Sequence, residues 1–387
     1  MAIRIGCGLS TTPDARVGAI EAGTVARDGL GGEPADLVVV FASGHHLAAP
    51  EATLEGVHEA LLPERVIGCG AGGIVGDSRE IEGGTAVVVW AAALDGGRAE
   101  PFHAEAERLD NGVAVSGIPD LDGASAVILL PDPYSFPTDG LLRDLAERAP
   151  GVPIVGGISS ARTLDGAGAL FYGEELLEAG AVGVRLDDVD VLPCVSQGAA
   201  PLGPEMTITG AEGHVITSLA GVPALDKVRE VVEGLDERER DMVAHGLLVG
   251  IVAEPGNKPE YDVGDFLVRG MLGADPNAGT IAVGATIREG QVIRLHARDA
   301  ASADADLEAS LDLRTSELHG EAAGALVFTC NGRGRAMFDE PDHDAGALDR
   351  ALAGAPAAGF FAAGEIGPVG AESHLHGFTA TVAIFEA

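Results

Sequence analysis

"DLVVVFASGHH", residues 36–46, is an unbroken apolar run that stops in small and polar residues. A strand with one wet face would alternate, so a run of this kind reads as a strand covered on both faces. "PEATLEGVHEALLPER" (50–65) follows, with Leu54, Val57 and Leu61 at helical spacing, Pro50 placed to open the helix and Pro63 to end it. "RVIGCGAGGIVG" (65–76) then returns as a second apolar run ending in glycines. Strand, helix, strand in this order makes a parallel pair joined by a crossover, and the fold class is α/β.

The unit recurs. "SAVILLPDPYS" (125–135), the helix "TDGLLRDLAERAPG" with Thr138 as N-cap, and "VPIVGGISSAR" (152–162) form a second copy. "GALVFTCNGRG" (324–334), "DHDAGALDRALAG" and "AGFFAAGEIGPVG" (358–370) form a third. A degenerate copy without its helix is read in "GLLVGIVAEPG" joined to "GDFLVRGMLGADP" (264–276). Each copy is trailed by strand-like segments, several read as hairpins, the clearest turn being Arg288-Glu-Gly-Gln. Four units in two pairs, joined near "QGAAPLGPEM" (197–206), suggest two related lobes with mixed sheets flanked by helices, residues 1–200 and 201–387.

At 387 residues the chain is too long for one ordinary core. The balance of 60 acidic against 24 basic residues gives a formal charge of −36, and Lys227 and Lys258 are the only lysines. Such a surface repels phosphate backbones, so nucleic acid and anionic membranes are excluded as partners. No apolar run is long enough for a membrane span, and "MAIRIGCGLSTTPDAR" does not read as a signal peptide, so a cytoplasmic location is expected. Cys7, Cys69, Cys194 and Cys330 are scattered singly, which suggests neither a zinc ribbon nor a disulfide framework.

In α/β sheets ligands settle beyond the carboxyl ends of strands, and here those ends carry the small and reactive residues. His45 and His46, Cys69 to Gly73, Asp132 to Phe136, Gly156 to Ser160, Arg269 to Asp275, Cys330 to Arg333 and Gly364 to Gly367 all fall there. The runs "LVVVFASGHH", "VIGCGAGGIVGDSREIEGG", "FLVRGMLGADP", "CNGRG", "DHDAGAL" and "GFFAAGEIGPVG" followed by "LHGFTATVAIF" resemble the FIST family, with its N-terminal and C-terminal modules. The resemblance implies an intracellular sensory module of signal transduction. Its implied partners are a small ligand, proposed to be an amino acid or related metabolite, and a signalling protein; it carries no accepted catalytic motif.

A zwitterion needs a cation or backbone donors for its carboxylate and an acid or carbonyls for its ammonium. Arg333 and Arg269 are the candidate carboxylate partners and Glu365 the ammonium partner, with Cys330, Asn331, Gly364, Gly367, His45, Cys69 and Gly72 completing the candidate set. A surface ion pair for Arg333 and a turn role for Glu365 are the plainer alternatives. No cofactor is expected: "GCGAGGIVG" is followed by a hairpin turn, where a dinucleotide fingerprint needs a helix. No metal is expected either, although His374 and His376 on one strand face, with Asp342, His343 and Asp344, could supply ligands. The competing functional reading is a hydrolase-like enzyme that uses Cys330 with His343, or a metal near His374 and His376.

Overall fold

Three copies of the strand, helix, strand unit share one of the two compact units of the chain, Met1–Val195 with Leu307–Ala387. The other is Ser196–Asp306. The computed structural model describes residues 2–387 apart from 111, 245, 254–255, 257–260 and 262. The fold is α/β, with mixed sheets flanked by helices.

The first copy runs β1 (Arg4–Ser10), α1 (Ala15–Gly29), β2 (Leu37–Ser43), α2 (Pro50–Leu61), β3 (Val66–Gly70), the hairpin β4 (Ile74–Gly76) and β5 (Arg79–Ile81), and β6 (Ala86–Ala93). The second runs β7 (Arg98–Leu109), β8 (Gly112–Ser116), β9 (Ala126–Pro131), α3 (Thr138–Arg148), β10 (Ile154–Gly157), the hairpin β11 (Leu170–Tyr172) and β12 (Glu175–Leu177), and β13 (Ala181–Asp187). After β14 (Val191–Ser196) the chain makes the second unit: β15 (Ala199–Glu212), β16 (Val215–Leu219), β17 (Val222–Pro223), α4 (Ala224–Gly234), α5 (Glu237–Ala244), β18 (Leu247–Val252), β19 (Phe266–Asp275), β20 (Thr280–Val283) and β21 (Val292–Arg298). Helix α6 (Ala300–Ser316) leads to the third copy: β22 (Ala322–Cys330), α7 (Arg335–Phe338), α8 (His343–Ala351), β23 (Ala357–Ala362), the hairpin β24 (Glu365–Val369) and β25 (Glu372–His376), and β26 (Ala380–Glu386).

In each copy the two strands flanking the helix are parallel neighbours: β2 with β3, β9 with β10, β22 with β23. The hairpin that follows leaves its own sheet. β4–β5 joins β23, β11–β12 joins β3, and β24–β25 joins β10. The chain then comes home, β6 beside β2, β13 beside β9 and β26 beside β22. No copy completes its sheet alone, so the three lend hairpins in a ring and the last copy is bound to the first two despite the intervening unit. The loop between β4 and β5 is Asp77-Ser78, both at positive φ (52° and 54°), the two-residue turn that suits the twist of a tight hairpin.

Period-two alternation explains the unbroken apolar runs. Val39, Phe41, Ile67, Val88 and Trp90 from the first sheet, Ile128, Leu130 and Val184 from the second, and Leu326, Phe328, Phe360 and Phe385 from the third share one central core. The alternate residues face helices: Val38 and Val40 with Ala22 and Val57, Val127 and Leu129 with Leu142 and Leu145, Val327 and Ile384 with Leu311 and Leu348. Gly68, Gly156 and Gly359 hold one equivalent place, opposite Val40, Leu129 and Val327 in the three parallel pairs. A Cβ there would lie 2.0, 1.9 and 1.7 Å from the facing carbonyl oxygen, respectively.

In the second unit the two strands of the degenerate copy, β18 and β19, are antiparallel neighbours. β15 pairs with β21 along one part and with β16 along another, so the ladder β15-β21-β18-β19-β20-β16 closes on itself. Glu254 and Pro255, at the end of the run that begins at Gly246, lie outside the described residues. The Arg288–Gln291 turn forms, but it does not close a hairpin: β20 pairs with β19 and β16, and β21 with β15 and β18. The strands on either side of the turn are therefore not a hairpin as expected, since a turn residue pattern fixes a reversal of the chain and not the partner of the strand that leaves it. The four copies group as three in one unit and one in the other.

His296 of β21 is fully buried, with Phe266 edge-on at 5.2 Å, and burial holds its imidazole down at about 4. The unfolded chain takes up this proton near pH 6.5 and the folded chain only near 4. Stability of this unit is therefore complete above pH 6.5 and falls as pH drops towards 4, by about 3 kcal/mol at most. Hydrogen exchange at the β21 amides should accelerate between pH 7 and pH 4 beyond the intrinsic pH dependence. A flat corrected profile would show that His296 is not the acid-labile group.

Candidate functional site

The carboxyl ends of the three parallel pairs meet. Gly72 N–H donates to Ser160 Oγ at 2.9 Å, and Ser160 Oγ donates in turn to the Phe361 carbonyl, linking all three copies. Ser159 Oγ donates to Gly70 O at 2.7 Å, Phe361 N–H to Gly73 O and Ala363 N–H to Ile158 O, both at 3.0 Å. Gly72, Asn331 and Ala363 are exposed on this end, and beneath it lies a group of buried charged side chains.

Arg333 follows the end of β22, in the turn closed by its own N–H on Cys330 O at 2.9 Å. Its guanidinium is 1% exposed and grips Asp344, Nε to Oδ2 at 2.7 Å and Nη2 to Oδ1 at 2.8 Å. Asp344 sits in the first turn of α8 and also accepts from Thr329 Oγ1 at 2.5 Å and lies 2.9 Å from His343 Nδ1. Burial alone would raise its carboxyl; the Arg333 charge and these hydrogen bonds outweigh burial and hold it well below the usual carboxylate range. The Phe338 ring completes the setting, stacked on His343 at 3.4 Å with the guanidinium carbon 5.1 Å from its centroid. Arg333 Nη1 is buried and has no hydrogen-bond partner.

Glu365 opens β24 and is fully buried. Its Oε2 accepts from Thr379 N at 3.1 Å and Thr379 Oγ1 at 2.7 Å, while Oε1 has no partner at hydrogen-bonding geometry. Burial pushes its carboxyl up to about 8, against the pull of the Thr379 bonds and Arg333. The Cys330 thiol is near enough to act on it, and burial, with the Glu365 charge second, pushes that thiol up to about 12. Phe378 N–H is directed at the sulfur, and its ring covers Gly332, where a Cβ would lie 2.9 Å away. Phe378 has a φ of 68°, an uncommon conformation for a bulky residue.

A third carboxylate arrives from the exchanged hairpin. Glu80 of β5 accepts from Ala345 N at 3.0 Å at the start of α8, and Asp342 Oδ1 accepts from Glu80 N at 2.6 Å. Burial first, then Asp344, raises the Glu80 carboxyl to about 7. A folded carboxyl that holds its proton longer than the unfolded one costs stability as pH rises from 4.5 to about 7. Urea unfolding at pH 5 and pH 8 should show this unit less stable at pH 8, and Glu80→Gln should remove part of the difference. An unchanged difference would mean that Glu80 does not contribute.

Cys330, Arg333, Glu365 and Gly364 are thus gathered at one end of one unit, with Asn331 and Gly72 on its surface. Cys69 is buried beneath Ser159, and burial raises its thiol. His45 is exposed after β2, where its N–H donates to Thr85 Oγ1 at 3.1 Å. Gly367 lies within β24, where a Cβ would meet Val195 at 2.6 Å, and its carbonyl is 2.9 Å from His376 Nε2. Arg269 belongs to the other unit, on β19, with Nη1 donating to Val268 O at 3.0 Å. His374 and His376 share β25 with ring centroids 6.4 Å apart. Among the described residues, no group of three or more His, Cys, Asp and Glu side chains is placed to hold a metal ion.

The strand ends of the three-copy α/β body thus converge over buried acidic and basic side chains. The FIST N domain matches residues 36–222 and the FIST C domain residues 224–368, and the chain belongs to the FIST family, a class of signal-transduction sensory domains. The boundary between the two matches falls inside the compact unit Ser196–Asp306. Uncharacterized protein Mb0898c of Mycobacterium bovis is 44% identical over 389 residues, covering 99% of each chain. Uncharacterized protein Rv0628c of Mycobacterium tuberculosis is 43% identical over 389 residues, covering 99% of this chain and 100% of the relative. No helix of the described residues is long and apolar enough to cross a membrane.

Proposed function

We propose that the chain is a cytoplasmic sensor of a small zwitterionic ligand, an amino acid or related metabolite, acting in signalling through a protein partner. The observation that carries this reading is a pair of buried atoms without hydrogen-bond partners, Nη1 of the Arg333 cation and Oε1 of the Glu365 carboxyl. An unsatisfied buried polar atom is costly, and a ligand carboxylate and ammonium would satisfy both. Asp344 already takes the bidentate fork of Arg333, so the carboxylate would receive one N–H from the guanidinium and others from the strand-end backbone. Cys330, Asn331, Gly364 and Gly72 are the neighbouring contacts of the reading, with His45, Cys69, Gly367 and Arg269 outlying.

The catalytic alternative has less support. A nucleophilic cysteine needs its thiolate, and Cys330 is pushed up to about 12 beside a carboxyl, with His343 committed to Asp344. A thermal-shift screen over amino acids and small metabolites tests the proposal. A stabilising amino acid should lose its shift in Glu365→Gln, with the variant otherwise folded. Stabilisation undiminished in that variant would place the ligand elsewhere.

A further inference from the structure

We infer that, without ligand, Glu365 is a neutral acid, and that the ligand group it accepts is a protonated amine whose charge takes the place of that proton. The inference rests on the ligand-binding reading above and adds the ionic form of the ligand and the proton traffic that accompanies it. Binding then converts Glu365–COOH and the amine R–NH3+ into a buried carboxylate–ammonium pair, with one proton passing to solvent.

Buried acids outnumber the buried guanidinium beside them. Asp344 and Glu365, 1% and 0% exposed, both act on the guanidinium of Arg333, itself 1% exposed, and Glu80, 7% exposed, stands beside Asp344. Arg333 neutralises one of them, and geometry says which, since two of its nitrogens are on Asp344. Glu80 rests on the backbone N–H of Ala345 at the start of α8, which partly compensates its charge. Glu365 accepts from Thr379 N–H and Oγ1 on Oε2 and, among the described residues, forms no ion pair. Its neighbours are the Cys330 thiol from β22, Thr379 and Phe378 from the turn before β26, and Arg333 from beyond β22. On its flanking strands it stands opposite Gly157 of β10 and His376 of β25, the latter directed to Gly367 O. A carboxylate in such surroundings is disfavoured unless a cation joins it. Both Thr379 bonds fall on Oε2, which leaves Oε1 to carry the proton or to receive the cation. The elevation of this carboxyl to about 8 agrees with the count.

Affinity for an amine should therefore rise about tenfold per pH unit up to pH 8 and flatten above it, because only the ionised form of Glu365 accepts the cation. Infrared difference spectra of the full chain, wild type against Glu365→Gln, test this, with methylammonium, glycine and acetate as probes. The expected result is a C=O band of a buried neutral carboxylic acid at pH 6, absent from the variant and lost on titration through pH 8. Methylammonium or glycine should bleach it at pH 7, with proton release to buffer, and acetate should not. Absence of the band at pH 6 would overturn the inference even if a ligand binds. A band that no amine alters, while a compound lacking an amine stabilises the protein, would overturn the amine assignment and leave the ligand-binding reading standing. A band unaltered by amines, with no stabilising compound in the whole screen, would remove both.

Discussion

Arg333→Met should lower the stability of the three-copy unit by about 3–5 kcal/mol, as expected when one partner of a buried ion pair is removed and the other is left uncompensated. The abandoned group is Asp344, 1% exposed, which would lose two charge-assisted hydrogen bonds of 2.7 and 2.8 Å and keep only those with Thr329 and His343. Trp90 reports the event without labelling: it is the single tryptophan, fully buried, 5.0 Å from Phe385 between ring centroids in the central core. Arg333→Lys should fall between wild type and Arg333→Met, because lysine keeps the charge and loses the fork. The double variant Arg333→Met with Asp344→Leu should regain much of the loss, since removing both members of the pair leaves neither ion of it buried without its partner. A cost below about 1 kcal/mol for Arg333→Met would show that the pair behaves as a solvated surface bridge. Ligand titrations of any Arg333 variant need this stability measured first.

The pattern of buried strands and crossovers could be read from residues 36–76 because two-sided burial leaves unbroken apolar runs and helices leave a different period. The exchange of hairpins could not. Nothing in "GDSREIEGG" states that β4–β5 will pair with β23, more than two hundred residues on, because strand pairing is fixed by tertiary packing and not by local sequence. The same gap separates the legible from the hidden parts of the site. Arg333 and Glu365 stood out as charged residues among glycines at strand ends. Glu80 reaches the cluster only through the exchanged hairpin, and Asp344, read as a possible metal ligand, proves to be the partner of Arg333 because α8 begins beside the β22 turn. Arg269, like Arg333, is an arginine followed by a glycine in sequence, yet it lies in the other unit, inside β19, which runs antiparallel to β18.

The three glycines that face carbonyls offer the most direct test of the ring of copies. Gly68→Ala, Gly156→Ala and Gly359→Ala should each destabilise the unit by about 3 kcal/mol or more, at the upper end of what overpacking costs. The obstacle is backbone: the added Cβ would stand 2.0, 1.9 and 1.7 Å from the carbonyl oxygens of Val40, Leu129 and Val327, and a β-strand pinned between neighbours on both sides cannot swing its carbonyl away as a long side chain could. Each insertion would push apart the parallel pair on which the borrowed hairpin of another copy depends, so Trp90 in the first copy should register all three lesions as one cooperative loss. Gly140→Ala is the internal control. Gly140 lies exposed in α3 with no atom within 4 Å of an added Cβ, so alanine there should be neutral or stabilise by up to about 1 kcal/mol through helix propensity. Comparable losses at the three strand glycines would mean that each copy uses the same close approach to build its pair. A severe loss at one with near-neutral values at the others would mean that the copies share a topology without sharing the constraint, and that the tight contact belongs to one sheet alone.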